Sequence, residues 1–100
     1  EHTGDVKSYV VQIATAYKEH AQEIDSLIQK YAHGWDLDRL VKIDKDILRI
    51  AIAELLFIEG VPVKVVVDEA LELAKKYSTD DSSSFINGIL GKVIDEKKDQ

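Results

Sequence analysis

The chain has 100 residues, enough for one domain spanning positions 1–100, and a domain of that size buries only roughly 60–65% of its unfolded surface, so its stability is modest. Apolar residues at 45% and charged residues at 32% exclude intrinsic disorder, and the absence of cysteine excludes a disulfide framework and thiol chemistry. A formal net charge of −6 excludes a generally basic surface, so any nucleic-acid contact has to come from a local patch, a further segment or a partner.

One proline and five glycines leave few sharp breaks, which favours helices. No apolar run approaches the roughly 18 residues of a membrane span, and no signal-peptide pattern is present. A reducing, cytoplasmic setting fits. The chain opens on EHTGD without a methionine, as a fragment, a processed form or a trimmed product would.

From Val6 to Tyr31 the apolar residues Val6, Tyr9, Val10, Ile13, Ala16, Tyr17, Ala21, Ile24, Leu27, Ile28 and Tyr31 recur at spacings of three and four. That period predicts an amphipathic helix, with Asp5 as its N-cap and Gly34 closing it. The polar run Lys18-Glu19-His20 and Gln22-Glu23 predicts a kink or junction. Trp35 to Leu40 reads as a connector with one helical turn, from which Leu37 and Leu40 face the core.

A second helix is predicted from Asp44, as cap, to Glu59, ended by Gly60. Ile47, Leu48, Ile50, Ala51, Ile52, Ala53, Leu55, Leu56, Phe57 and Ile58 surround it, and a helix apolar on nearly every side is central and buried. Arg49 projects into its one polar gap. Glu54 lies on the apolar side and needs a partner, either a helix end to cap or a cation.

Val63, Val65, Val66 and Val67 suggest a strand by β-branching. The longer pattern Val63, Val66, Val67, Ala70, Leu73, Ala74, Tyr77 is helical, and Pro62 suits a first turn. Ser78 to Asp81 then supply caps for a last helix carrying Ile86, Ile89, Leu90 and Val93. Asn87-Gly88 does not make a hairpin, because that stripe runs straight through it. Gly88 and Gly91 are expected to allow close helix approach, and the tail Asp95–Gln100 to fray. The sum is an all-α bundle with a buried central helix.

Catalytic chemistry finds little support. His2, His20 and His33 have no partner at metal-ligand spacing. Asp80-Asp81 fits helix capping better than acid–base work, and Asp68, Glu69 and Glu72 form a solvated helix face. Ser82-Ser83-Ser84 has no nucleophile-elbow context, and no phosphate-binding glycine loop is present. No enzyme, cofactor or metal is expected. Phe85 stands apart. It lies at the edge of the last helix's stripe, in the first turns, where backbone amides and the helix dipole favour phosphate. Two readings are open: core packing, or stacking on a base of single-stranded nucleic acid.

The segment Ile43-Asp44-Lys45-Asp46-Ile47-Leu48-Arg49-Ile50-Ala51 with Glu54-Leu55-Leu56 resembles the central helix of the NusB family. Val61-Pro62, Asp68-Glu69-Ala70 and Glu72-Leu73-Ala74-Lys75 resemble its next helix, and Phe85-Ile86-Asn87-Gly88-Ile89-Leu90 its closing motif. Trp35 fits as well. The order and spacing agree over most of the chain. The resemblance implies a helical bundle of the NusB-like RNA-binding type. It also implies a role in transcription antitermination, with boxA single-stranded RNA bound together with NusE, a ribosomal small-subunit protein, and the elongating RNA polymerase complex joined indirectly. It implies that Phe85 stacks on RNA, that Asp81 lies at the RNA-proximal helix start, and that Arg49 either reaches RNA or serves structure. Asp44 and Asp38 are implied to face the basic NusE, which suits the acidic balance. The stacking reading of Phe85 is thereby favoured.

The family also begins with an arginine-rich segment and apolar helices that this chain does not show. Fewer neutralised phosphates and a bared apolar groove are then expected to give weak RNA binding and self-association into a homo-oligomer. Two alternatives stay open. One is a NusB-like accessory domain of a ribosomal-RNA cytosine methyltransferase, against which the FINGIL motif and the charged tail argue. The other is a helical interaction module with no RNA role.

Overall fold

The computed structural model describes residues 2–32 and 40–98. The readings placed on Gly34, Trp35, Leu37 and Asp38 lie outside the described residues. Four helices follow one another: α1 (His2–Tyr31), α2 (Lys42–Phe57), α3 (Val63–Tyr77) and α4 (Asp80–Lys98). There is no strand among the described residues. The β-branched run at Val63 is helical because its apolar positions repeat at the helical period, and that repeat places Val66, Ala70 and Ala74 in the core.

The sequence order explains the packing. α2 contacts each of the other helices, which is why it is apolar nearly all round. Its Ile47, Leu48, Ala51, Ile52, Ala53 and Leu55 are buried. To the same core α1 contributes Ala16, Ile24 and Ile28, and α4 adds Ile86, Ile89, Leu90 and Val93. α1 is kinked at His20 (φ −120°, ψ 23°), within the polar run where a junction was expected. The His20 ring lies flat on Phe57 at the end of α2, with centroids 3.7 Å apart and planes 4° from parallel. The kink is thus held against the neighbouring helix.

Several expected boundaries move. α1 begins ahead of Asp5, so that residue lies within the helix instead of capping it. α2 begins at Lys42, with Val41 at the N-cap position and no side-chain cap, so Asp44 falls in the first turn. At its far end α2 stops at Phe57, and Gly60 takes the left-handed conformation (φ 88°) that starts the turn into α3. Pro62 sits just outside α3, where its carbonyl accepts from Val65 N (3.0 Å) and Val66 N (3.2 Å). The tail holds its helix to Lys98. Part of the reason is Lys97, whose Nζ donates to the Leu55 carbonyl at 2.6 Å. That carbonyl is in the last turn of α2, where intrahelical partners run out.

Gly88 and Gly91 do not serve close packing. A methyl group added at either would meet nothing within 4 Å. Both are exposed, on the side of α4 turned away from Ile86, Ile89 and Leu90.

Glu54 is buried as its position requires, but its partner is neither a helix end nor a cation. The hydroxyl of Tyr9 on α1 donates to it. Burial pushes the Glu54 carboxyl above the usual carboxylate range, the Tyr9 bond opposes that rise, and the Glu69 charge adds to it. Burial and the Glu54 bond push the Tyr9 phenol up to about 12. A carboxyl raised in the folded state holds its proton more tightly there than in the unfolded chain. Its penalty is therefore absent at acid pH, grows as pH rises from the ordinary carboxylate value, and is complete only above the raised one. Glu54→Gln keeps an acceptor for Tyr9 and removes the charge. It is expected to stabilise the protein at pH 7 by roughly 0.5–2 kcal/mol, with the gain vanishing near pH 4. Urea unfolding of both chains at the two pH values checks this, and an equal gain at both would sink the explanation.

Candidate functional site

Of the residues singled out for function, those that the structure describes fall in two polar clusters. The first surrounds Arg49 on the α1–α2 contact. Its Nε donates to Asp25 Oδ1 at 2.9 Å and its Nη2 to Asp25 Oδ2 at 3.1 Å, a bidentate pair. Tyr17 donates its hydroxyl to the same carboxylate at 3.0–3.1 Å, and the Arg49 guanidinium lies 5.3 Å from the centre of the Tyr17 ring. Tyr17 and Asp25 stand on either side of the kink at His20, so one arginine ties both halves of α1 to α2. Burial, then the Asp25 contact, raises the Tyr17 phenol above its ordinary value. Beside this cluster Ile13, Ala14, Tyr17 and Ile50 line a shallow, mainly apolar groove that ends on Asp46 and Arg49.

Of the two roles open to Arg49, this geometry supports the structural one, because its best donors are spent on Asp25. The pair is only about a quarter exposed, so Arg49→Ala leaves a half-buried carboxylate without its cation. The expected cost is about 1–2 kcal/mol, read as a fall in Tm. Equal stability with lost RNA affinity would instead make Arg49 an RNA contact.

The second cluster is the start of α4. Thr79 occupies the N-cap position, and its Oγ1 accepts from the backbone N of Ser82 at 3.0 Å. The expected Ser78–Asp81 cap is thus narrowed to Thr79. Asp80 and Asp81 are exposed in the first turn, where the helix dipole favours negative charge. Phe85 lies one turn beyond Asp81 on the same side of the helix. It is half-buried, with part of its ring packed on the core and part left open. The ring is thus anchored on the core, with part of it left accessible.

Asp44 reaches the same place from α2, but from inside. It is 6% exposed, and its Oδ2 accepts from Ser82 Oγ at 2.7 Å. Its carboxylate is thus turned into the α2–α4 junction and joined to the first turn of α4. The structure brings Asp44, Asp81 and Phe85 together at the start of α4. Arg49 is separate, about 140° around α2 from Asp44 by helix geometry. The participation of Asp25, Tyr17, Tyr9, Ser82 and Lys97 was not singled out in advance. Asp25 had a visible signal, as an acid on α1 that could answer the arginine in the polar gap of α2.

Among the described residues no group of three histidine, cysteine, aspartate or glutamate side chains is placed to hold a metal ion. No helix there is long and apolar enough to cross a membrane.

The model of the NusB family matches residues 2–95. The chain belongs to the NusB family. It is 45% identical over 97 residues to the transcription antitermination protein NusB of Thermodesulfovibrio yellowstonii, covering 97% of this chain and 64% of that one. To the protein of the same name from Streptomyces avermitilis it is 46% identical over 92 residues, covering 92% and 64%. The fold superposes on NusB of T. maritima with a TM-score of 0.87 and 40% identity, covering 92% of this chain and 65% of that chain. A chain from the crystal structure of a plectonemic RNA supercoil gives a TM-score of 0.87 at 31% identity, covering 94% and 68%. The chain thus spans about two thirds of the length of these NusB relatives.

Proposed function

We propose that the protein acts in transcription antitermination as a non-enzymatic binding factor. It would hold boxA-type single-stranded RNA together with NusE and through them join the elongating polymerase. The observation that carries this reading is the start of α4. Phe85 is anchored on the core with part of its ring open, and exposed Asp81 stands one turn before it. A partly open aromatic is a stacking platform for a base. The adjacent carboxylate accepts hydrogen bonds from a base amino group or a ribose hydroxyl, both of which single-stranded RNA presents. The relatives named as antitermination proteins support the process, and the structural relative from a crystal of an RNA supercoil supports the ligand class. The excess of acidic residues suits a basic ribosomal partner. Asp38 and Asp44 are the candidates for that contact.

The test is direct binding to a boxA-type RNA and to NusE, separately and together, across a salt series. RNA binding that strengthens with NusE and weakens linearly in log salt is expected, its slope reporting the phosphates neutralised. If no RNA binds with or without NusE, the reading is wrong and an interaction module without an RNA role takes its place.

A further inference from the structure

Ser82 lies at the third position of α4, and every hydrogen-bonding capacity of its hydroxyl is used. The Oγ accepts from Ser78 Oγ and from Thr79 Oγ1, each at 3.0 Å, and donates to Asp44 Oδ2 at 2.7 Å. A serine hydroxyl has one proton and two lone pairs, so the directions are fixed. All three hydroxyl protons are ordered toward the Asp44 carboxylate. That carboxylate sits in the first turn of α2 and is bonded to the first turn of α4. One buried carboxylate thus joins the starts of two helices. The acid is 6% exposed, and its second oxygen, Oδ1, is buried without a hydrogen-bond partner among the described residues.

We propose that Asp44 is a positioning residue for RNA: through Ser82 it locks the first turn of α4 so that Asp81 and Phe85 are held in their binding orientation. The inference rests on the RNA reading above and adds a residue that does not touch RNA. The logic is local. Ser82 follows Asp81 directly and precedes Phe85 by three positions, and first turns of helices are where backbone order is weakest. Without the tether, the turn that carries both contacts would have to be ordered at the moment of binding, at the expense of affinity.

Four variants test this: Ser82→Ala and Asp44→Ala remove the tether, while Ser82→Thr and Asp44→Asn keep the hydroxyl or an acceptor oxygen. Two readouts are taken on each full chain. One is affinity for a fluorescein-labelled boxA-type RNA. The other is hydrogen exchange of the Ser82–Phe85 amides without RNA, with the amides of α2 as internal reference. Ser82→Ala and Asp44→Ala are expected to weaken RNA binding about tenfold and to speed exchange in the α4 turn while α2 stays protected. Ser82→Thr and Asp44→Asn should restore both. Unchanged exchange or unchanged affinity in Ser82→Ala overturns the proposal, as does failure of Asp44→Asn to rescue. A wild-type chain that binds no RNA, yet whose α4 turn still loosens in Ser82→Ala, overturns the RNA reading and leaves only a structural tether.

Discussion

Replacing Ile52 by alanine is expected to lower the stability of the folded chain by about 2–5 kcal/mol, the range for a large aliphatic side chain removed from a packed core. Ile52 is 0% exposed, on the helix that touches all the others. The loss combines the transfer of its methyl and methylene groups with the cavity they leave, and the surrounding side chains come from several helices that cannot all close in together. A chain of this size has only about 5–15 kcal/mol in total, so the substitution consumes a large share. Each kcal/mol should shift Tm by about 4–8 °C. Urea unfolding should show the midpoint falling with the slope unchanged. Ile50, two residues earlier on the same helix, is 42% exposed, and its alanine variant should cost no more than about 1 kcal/mol. Similar losses at both positions would mean that α2 is not the buried centre of the bundle.

That contrast also shows what the sequence could and could not convey. The centrality of α2 was legible because only a helix contacted on several sides tolerates apolar residues nearly all round. The kink at His20 was legible because a polar run interrupts the stripe of α1. Helix ends were less so: α2 starts at Lys42 without a side-chain cap, and an aspartate two residues later looks like a cap in sequence. Long-range partners were harder to read. Glu54 was marked as an acid in need of a partner, but Tyr9, 45 positions away, entered the apolar stripe of α1 as a ring, and its hydroxyl carried no separate signal. Arg49 sat in a visible polar gap, while Asp25 was one of many polar residues on α1. Gly88 and Gly91 misled because glycine in a helix signals the absence of a side chain and not the reason for it. At the candidate site, helical period placed Phe85 at the edge of a stripe, and the structure leaves it there. The burial of Asp44 depends on how α4 crosses α2, which no local pattern encodes.

Phe85→Ala is expected to weaken RNA binding by about 5- to 150-fold, the equivalent of the ~1–3 kcal/mol carried by one stacked base. Because the ring also packs on the core, alanine will cost folding stability too, and a fall in apparent affinity has to be separated from a fall in folded fraction. Phe85→Leu does this. Leucine keeps most of the apolar contact and has no π-face, so it should fold nearly as well as the parent and bind RNA nearly as poorly as alanine. Phe85→Trp, if the site accommodates the larger ring, should retain binding, since stacking needs a flat face and not a particular one. Stacking neutralises no phosphate, so the salt dependence of the Leu variant should run parallel to that of the parent, displaced downward. A changed slope would mean that the substitution has moved a phosphate contact through the α4 turn. A leucine variant that binds RNA as well as the parent would return Phe85 to the core and remove the aromatic platform from the proposed mechanism.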